Sequence, residues 1–255
     1  MLETDLNKLT GMIDGLNAQL SPDGVLELCL DRPPVNAIHA PMWVRLCRIM
    51  RSLHETESVR SVLFTSANEN IFSAGADMKE RSTYKNYGAP GDFMRVAREA
   101  TNSFYDCPVP VIVAATGVAA GAGAVLMGLA DLVIGGPGTR LALTEIDRGV
   151  VGGSRSMARL LPEPLMRKMM LLGEFVDGEE LHRAGAFAEY VPDVQIIETA
   201  RAIACRIASK DPLSVRCTTQ AIKEVEALDV KLAYRVEQKY TVMLRDKVHD
   251  EKFHR

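Results

Sequence analysis

The chain has 255 residues, 47% of them hydrophobic, and a formal net charge of −3. That length suits one large domain, or one domain with a helical appendage, around a sizeable core. The weak charge and the scattered basic residues exclude a general attraction to polyanions and carry no mark of nucleic-acid binding.

Charges run through Met1 to Leu20, so this stretch does not read as a secretory signal. Val25 to Leu30 reads as a strand, and Pro33-Pro34 then punctuates the chain, because proline cannot sit in a central ladder. Trp43, Leu46, Met50 and Leu53 recur at helical spacing and predict a helix from Pro41 to about Glu57. Ser61 to Thr65 is a short apolar strand, followed by the small-residue loop Ser73-Ala74-Gly75-Ala76-Asp77. Phe93 to Tyr105 looks helical. Val109 to Ala115 is a β-branched run suited to a buried parallel strand.

Thr116 to Gly123 is a Gly/Ala turn opening a helix over Ala124 to Ala130. A strand from Asp131 to Ile134 follows. The weakly polar run from Val109 to Ala130 thus reads as strand, turn and helix, and no segment is long and apolar enough to span a bilayer. From Pro164 the pattern becomes helical: Leu165, Met166, Met169, Met170 and Leu172 form a wide apolar face, and Gly173 is a stop signal. Further helices are expected over Ile196 to Ala208, from Pro212, and from Val230 to about Arg245. The class is α/β with a helical C-terminal layer and no internal sequence repeat.

Cys29, Cys47, Cys107, Cys205 and Cys217 form no CxxC pair and read as reduced, mostly buried thiols of a cytoplasmic protein. The five histidines show no metal spacing, and no metal is expected. Gly152-Gly153-Ser154-Arg155-Ser156 is not the GxSxG nucleophile elbow.

Thr116-Gly117-Val118-Ala119-Ala120-Gly121-Ala122-Gly123 matches TGxxxGxG, the dinucleotide pattern of short-chain dehydrogenases. That turn normally follows the first strand, whereas more than a hundred residues precede it here. Tyr190, Tyr234 and Tyr240 also lack a lysine four residues on. The same physics serves another anion: N–H groups at a helix N-terminus, unshielded by side chains, can stabilise a developing oxyanion. The loop from Ser73 to Asp77 is the natural source of a second donor. Either loop alone could equally be a packing turn.

The chain resembles the crotonase superfamily, the enoyl-CoA hydratases and isomerases. The resemblance runs through Arg32-Pro33-Pro34-Val35-Asn36-Ala37, Phe72-Ser73-Ala74-Gly75-Ala76-Asp77-Met78-Lys79, Pro108 to Ala115, the glycine turn, Ala130-Asp131-Leu132, Glu145 and Gly149. It implies a spiral of ββα units, expected over residues 1–195, and a helical trimerisation region over 196–255. It also implies an acyl-CoA thioester as ligand, a homotrimer or dimer of trimers, and no separate cofactor, coenzyme A being part of the substrate. Neither nucleic acid nor membrane is an expected partner.

By the same resemblance the N–H groups of Ala76 and Ala122 are the oxyanion donors, Ala122 standing where the family usually has a glycine. Lys79 and the segment Asn36-Ala37-Ile38 match positions that contact coenzyme A, and Ala74, Asp77 and Met78 belong to the same binding block. Lys79 reads equally as a surface lysine. Hydratases of the family use two glutamates. The first corresponds to Val125, expected to line the substrate site without ionising; the second is Glu145, the expected acid/base. One carboxylate suffices to shuttle a proton between the α and γ carbons, so double-bond isomerisation leads. A hydratase with a non-standard second acid, a ring-opening hydrolase of a cyclic β-ketoacyl-CoA, and an acyl-CoA binder without activity are the alternatives. Arg155 replaces a small residue beside the expected acyl pocket. Its planar fork suits a substrate carboxylate or ketone, and an outward or intersubunit position competes with that reading. Lys252 and Phe253 are candidate contacts for the adenine end of coenzyme A.

Overall fold

The computed structural model describes residues 10–13, 15–81 and 92–226, together with Val242. The helix expected after Val230, and Lys252 and Phe253, lie outside the described residues. Eleven strands are described: β1 (Gly11–Ile13), β2 (Leu16–Leu20), β3 (Val25–Leu30), β4 (Ser61–Ser66), β5 (Ile71–Ser73), β6 (Val111–Ala114), β7 (Val118–Ala120), β8 (Leu132–Gly135), β9 (Arg140–Ala142), β10 (Val176–Asp177) and β11 (Glu189–Tyr190). They form a larger sheet in the order β1-β2-β3-β4-β6-β8-β11 and a smaller one in the order β10-β9-β7-β5.

Successive strands alternate between the sheets. β4, β6 and β8 run parallel in the larger one, while β5, β7 and β9 run parallel in the smaller. Each pair is followed by helix, so the chain climbs as a spiral of ββα units without a sequence repeat. The expected glycine turn is thus partly strand: Val118 to Ala120 pairs on both sides. The smaller sheet's strands are three residues or shorter, too brief to show a hydrophobic period.

The parallel centre of the larger sheet, β4, β6 and β8, is buried on both faces, as parallel strands are. β4 is buried along its whole length and divides its side chains by the period of two: Val62 and Phe64 face one core, Leu63 the other. On the first side lie α1 (Ala40–Ser52), the short α2 (Met78–Arg81), α3 (Phe93–Tyr105) and α4 (Ala122–Leu129). Phe64 there meets Phe72 and Phe104 edge-on, each at a centroid distance of 5.5 Å. Beyond α4 come α5 (Ser154–Leu160), α6 (Glu163–Leu172) and α7 (Gly178–Arg183). The second face is covered by α8 (Ile196–Ala208), whose Ile196, Ala200, Ala204 and Ala208 recur every four residues and pack on Leu63, Ile112 and Ile134. Small side chains let the helix lie close, and the Ser61 hydroxyl donates to the Ala204 carbonyl at 3.1 Å. α9 (Pro212–Val225) completes the described C-terminal helices, with Asp211 capping it through the Ser214 N–H.

Three expectations need correction. α1 ends at Ser52 rather than Glu57, because Ser52 and Thr56 hydroxyls turn back onto the Ile49 and Ser52 carbonyls. Of the apolar face expected on α6, Met169 is buried and Leu165, Met166 and Met170 are partly buried against the core, but Leu172 stands in solvent. Of the cysteines, Cys47 and Cys107 are buried, Cys29 and Cys205 half-buried and Cys217 exposed. Burial pushes the Cys107 thiol up to about 12, which removes it as a nucleophile at neutral pH. No described helix is long and apolar enough to cross a membrane.

Candidate active site

The Ser73–Asp77 loop is built by the segment that precedes α1. Ala74 N–H donates to the Val35 carbonyl, Ile38 N–H to the Gly75 carbonyl, and Asp77 N–H to the Ile38 carbonyl, all at 2.8–2.9 Å. Ile38 and Ala76 therefore form a parallel bridge. In that pattern Ile38 bonds the neighbours of Ala76, so the Ala76 N–H faces the opposite side. No described backbone acceptor takes it.

Asn36 makes this arrangement possible. It is buried with φ of 49°, a left-handed conformation that asparagine tolerates better than most residues. Its Oδ1 accepts from the Arg32 N–H at 2.8 Å, and its Nδ2 donates to Ser66 Oγ at 2.8 Å and to the Phe72 carbonyl at 3.2 Å. Its carbonyl accepts from the Ser73 hydroxyl at 2.7 Å.

The second loop ends at Gly121, whose φ of 53° and ψ of −123° suit glycine. Gly121 N–H donates to the Ala142 carbonyl, and the first turn of α4 closes from Val125 N–H to the Gly121 carbonyl. Ala122 is the first residue of that helix, so its N–H has no partner within α4. Gly123 must lack a side chain: a Cβ there would lie 2.8 Å from the Ser73 carbonyl oxygen. Gly75 fits against the second loop, where a Cβ would come 2.9 Å from the Ala120 oxygen and 3.0 Å from the Ala122 nitrogen. Two loops far apart in sequence thus touch where both backbone donors stand.

Glu145 joins them. It opens a 3₁₀ helix, Glu145–Arg148, closed by Gly149 in the left-handed region. Its Oε1 lies 3.0 Å from the position a Gly121 Cβ would occupy. Ala76, Ala122 and Glu145 line one cavity of about 540 Å³, with Ala74, Met78 and Val125 also in its wall. Trp43, Phe93, Met94 and Phe175 make it largely apolar. Trp43 and Phe93 were not singled out as site residues from the sequence, because helical spacing marks them as core.

The other expected contacts stand elsewhere. Asn36, Ala37 and Ile38 are not in the cavity wall; they hold the Ala76 loop from behind, with the Ala37 carbonyl accepting from Arg32 at 2.8 Å. Asp77 caps α2 through the Lys79 and Glu80 N–H groups and pairs with Arg32 at 2.8 Å. Although desolvation opposes it, those backbone and side-chain hydrogen bonds hold the Asp77 carboxyl below its ordinary range. Lys79 is exposed and outside the cavity wall. Val125 and Leu143 both pack against Gly153, consistent with an apolar wall. Arg155 corrects the expectation of an acyl-pocket residue: it projects from α5 into a second cavity of about 830 Å³, beside Asp131, Arg159 and Glu226. No described group of His, Cys, Asp and Glu is arranged to hold a metal ion.

Converging backbone donors, a largely apolar cavity and the Glu145 carboxylate define an enzyme site that can polarise a carbonyl and move a proton beside it. A family model for enoyl-CoA hydratase/isomerase matches residues 21–253, and the chain belongs to that family, within the crotonase superfamily. It is 35% identical over 230 residues to (7aS)-7a-methyl-1,5-dioxo-2,3,5,6,7,7a-hexahydro-1H-indene-carboxyl-CoA hydrolase of Rhodococcus jostii (strain RHA1), covering 90% of this chain and 89% of that protein. Carnitinyl-CoA dehydratase of Citrobacter koseri is 28% identical, over 83% of this chain and 81% of its own. An enoyl-CoA hydratase structure from Bacillus anthracis superposes with a TM-score of 0.78 at 25% identity, covering 95% of this chain and 92% of that one. The protein is therefore an acyl-CoA-processing enzyme of this family.

Proposed function

We propose that the protein opens the ring of a cyclic β-keto acyl-CoA by hydrolysing a carbon–carbon bond. The observation that carries this reading is the Glu145 carboxylate beside two backbone donors, with apolar Val125 where a second acid would stand and the wall's other carboxylate, Asp147, set against Gly173. The likeness to a hydrolase named for a bicyclic dioxo acyl-CoA supports it.

Glu145 takes a proton from water as the oxygen adds to the ring ketone. The tetrahedral alkoxide collapses and the bond between the ketone carbon and the α carbon breaks. Its electron pair becomes the thioester enolate, whose oxygen receives the Ala76 and Ala122 N–H groups. Glu145 returns its proton to the α carbon, and the former ketone leaves as a carboxylic acid that ionises. Coenzyme A enters as part of the substrate, and the reading needs no separate cofactor.

Mass spectrometry of products from cyclic β-keto, enoyl and saturated acyl-CoAs in heavy-oxygen water tests this. The reading expects the mass of one water gained on the keto substrate, with label in a new carboxylate. A mass-neutral double-bond shift would instead support isomerisation, for which one glutamate also suffices, and water added to an enoyl substrate would support hydration. Glu145→Gln is expected to lower turnover by about 10²–10⁴ while thioester binding persists. Binding without turnover by the wild type on any substrate sinks the enzymatic reading.

A further inference from the structure

We infer that Arg148 is a specificity-determining residue that binds a carboxylate or ketone oxygen on the acyl portion of the thioester. The inference rests on the reading that this cavity receives an acyl-CoA. Glu145 and Arg148 begin and end the same 3₁₀ helix. That helix has three residues per turn, so side chains three apart eclipse one another. Both accordingly line the cavity that holds Ala76 and Ala122.

The other two residues of the turn are engaged differently. Ile146 Cγ2 and Asp147 Oδ2 lie 3.3 Å and 2.9 Å from where a Gly173 Cβ would stand, at the C-terminal end of α6. Asp147 also reaches the cavity wall, so the charged groups there, among the described residues, are Glu145, Asp147 and Arg148. Arg148 makes no hydrogen bond or ion pair with a described residue, neither with Asp147 nor with Glu145. Nearby Arg140 is directed elsewhere, stacked over the Phe175 ring at 4.6 Å.

Arg148 lines this cavity as an exposed residue, beside a wall rich in Trp43, Phe93 and Met94, and a plain hydrocarbon chain laid over its guanidinium would strip its water without supplying an acceptor. The guanidinium suits an acyl group carrying an oxygen acceptor one helical turn from the carbon that Glu145 serves. A planar fork with two parallel N–H groups matches a carboxylate. In a ring opening the ketone becomes such a carboxylate, so one residue would hold the same oxygen before and after the bond breaks.

The test is binding rather than turnover. Calorimetry would compare succinyl-, glutaryl- and adipyl-CoA with butyryl-, pentanoyl- and hexanoyl-CoA, each pair matched in length. The wild type is expected to bind at least one dicarboxylic thioester about tenfold tighter than its partner. Arg148→Leu should erase that preference and leave the monocarboxylic affinities unchanged, and Arg148→Lys should keep part of it. The inference is overturned if the wild type shows no preference at any length, if the preference survives in Arg148→Leu, or if that variant weakens all six ligands alike, which would place Arg148 on the coenzyme A portion. A preserved, Arg148-dependent preference in an enzyme that opens no ring would sink the ring-opening reading and leave this one standing.

Discussion

The loop that presents Ala76 is tied down by side chains, whereas the turn that presents Ala122 is held by backbone and by the absence of side chains. Asn36, Ser73, Arg32 and Asp77 all reach across the first loop. The second has Gly121 and Gly123 and bonds only through main-chain groups. Polar anchors can be lost one at a time with graded effects. A glycine contact at 3 Å is closer to all-or-none, because the added atom has nowhere to go. The two halves of the proposed oxyanion site are therefore expected to fail differently.

Gly75→Ala attacks the place where the loops meet and has the largest expected effect. Its methyl would meet backbone at 2.9–3.0 Å in a residue with φ of 95°. Separating the donors is expected to reduce kcat/KM by about 10²–10³, the usual loss of one oxyanion donor. A decrease below about tenfold by steady-state kinetics would show that the loops are not rigidly coupled.

Asn36→Ala tests the anchored loop. It removes bonds to Ser66 and Phe72 and places alanine in the left-handed region. Urea denaturation is expected to show a loss of about 2–4 kcal/mol. Asn36→Gly should recover about 1 kcal/mol of it, and equal losses in the two variants would remove backbone conformation as a cause.

Gly121→Ala tests the unanchored turn more gently than Gly75→Ala. Its Cβ would meet Glu145 Oε1 at 3.0 Å but backbone only at 3.7 Å. The carboxylate can move, but alanine at φ of 53° and ψ of −123° is strained, so the expected result is a fall in kcat of at least about tenfold with thioester affinity retained. Loss of affinity with unchanged kcat would mean that the turn, not Glu145, gave way.

Asp77→Asn has the smallest expected effect, up to about 1 kcal/mol, because the Arg32 pair is partly exposed. The carboxyl is held below its unfolded value of about 3.9, so its contribution is full above that pH and disappears as pH falls through the lower folded value. Denaturation curves of wild type and variant should converge as pH falls from about 5 through the lower folded value. A gap independent of pH would assign the loss to shape rather than charge.

Much of the site was legible from small residues. The runs Ser73 to Asp77 and Thr116 to Gly123 stand out because strand and helix seldom share such composition with a following periodic segment. Glu145 was legible through the resemblance rather than through spacing, since a lone glutamate is ordinarily a surface acid. Arg155 was left between an acyl-pocket and an outward or intersubunit position, because sequence order says nothing of which side of α4 the next helix passes.

The sequence by itself determined the alternation of strand and helix, through hydrophobic periods over β3, β4, α3 and α8, and the two side-chain-poor loops able to expose N–H groups. Only the tertiary structure decided that β5, β7 and β9 form a second sheet, because strands of three residues take their conformation from neighbours rather than from their own pattern. It also decided that Gly75 meets Ala122, that Asn36 serves the loop from behind, and that Arg148 shares a face with Glu145. Contacts of that kind depend on chain crossings in space, which local periodicity does not encode.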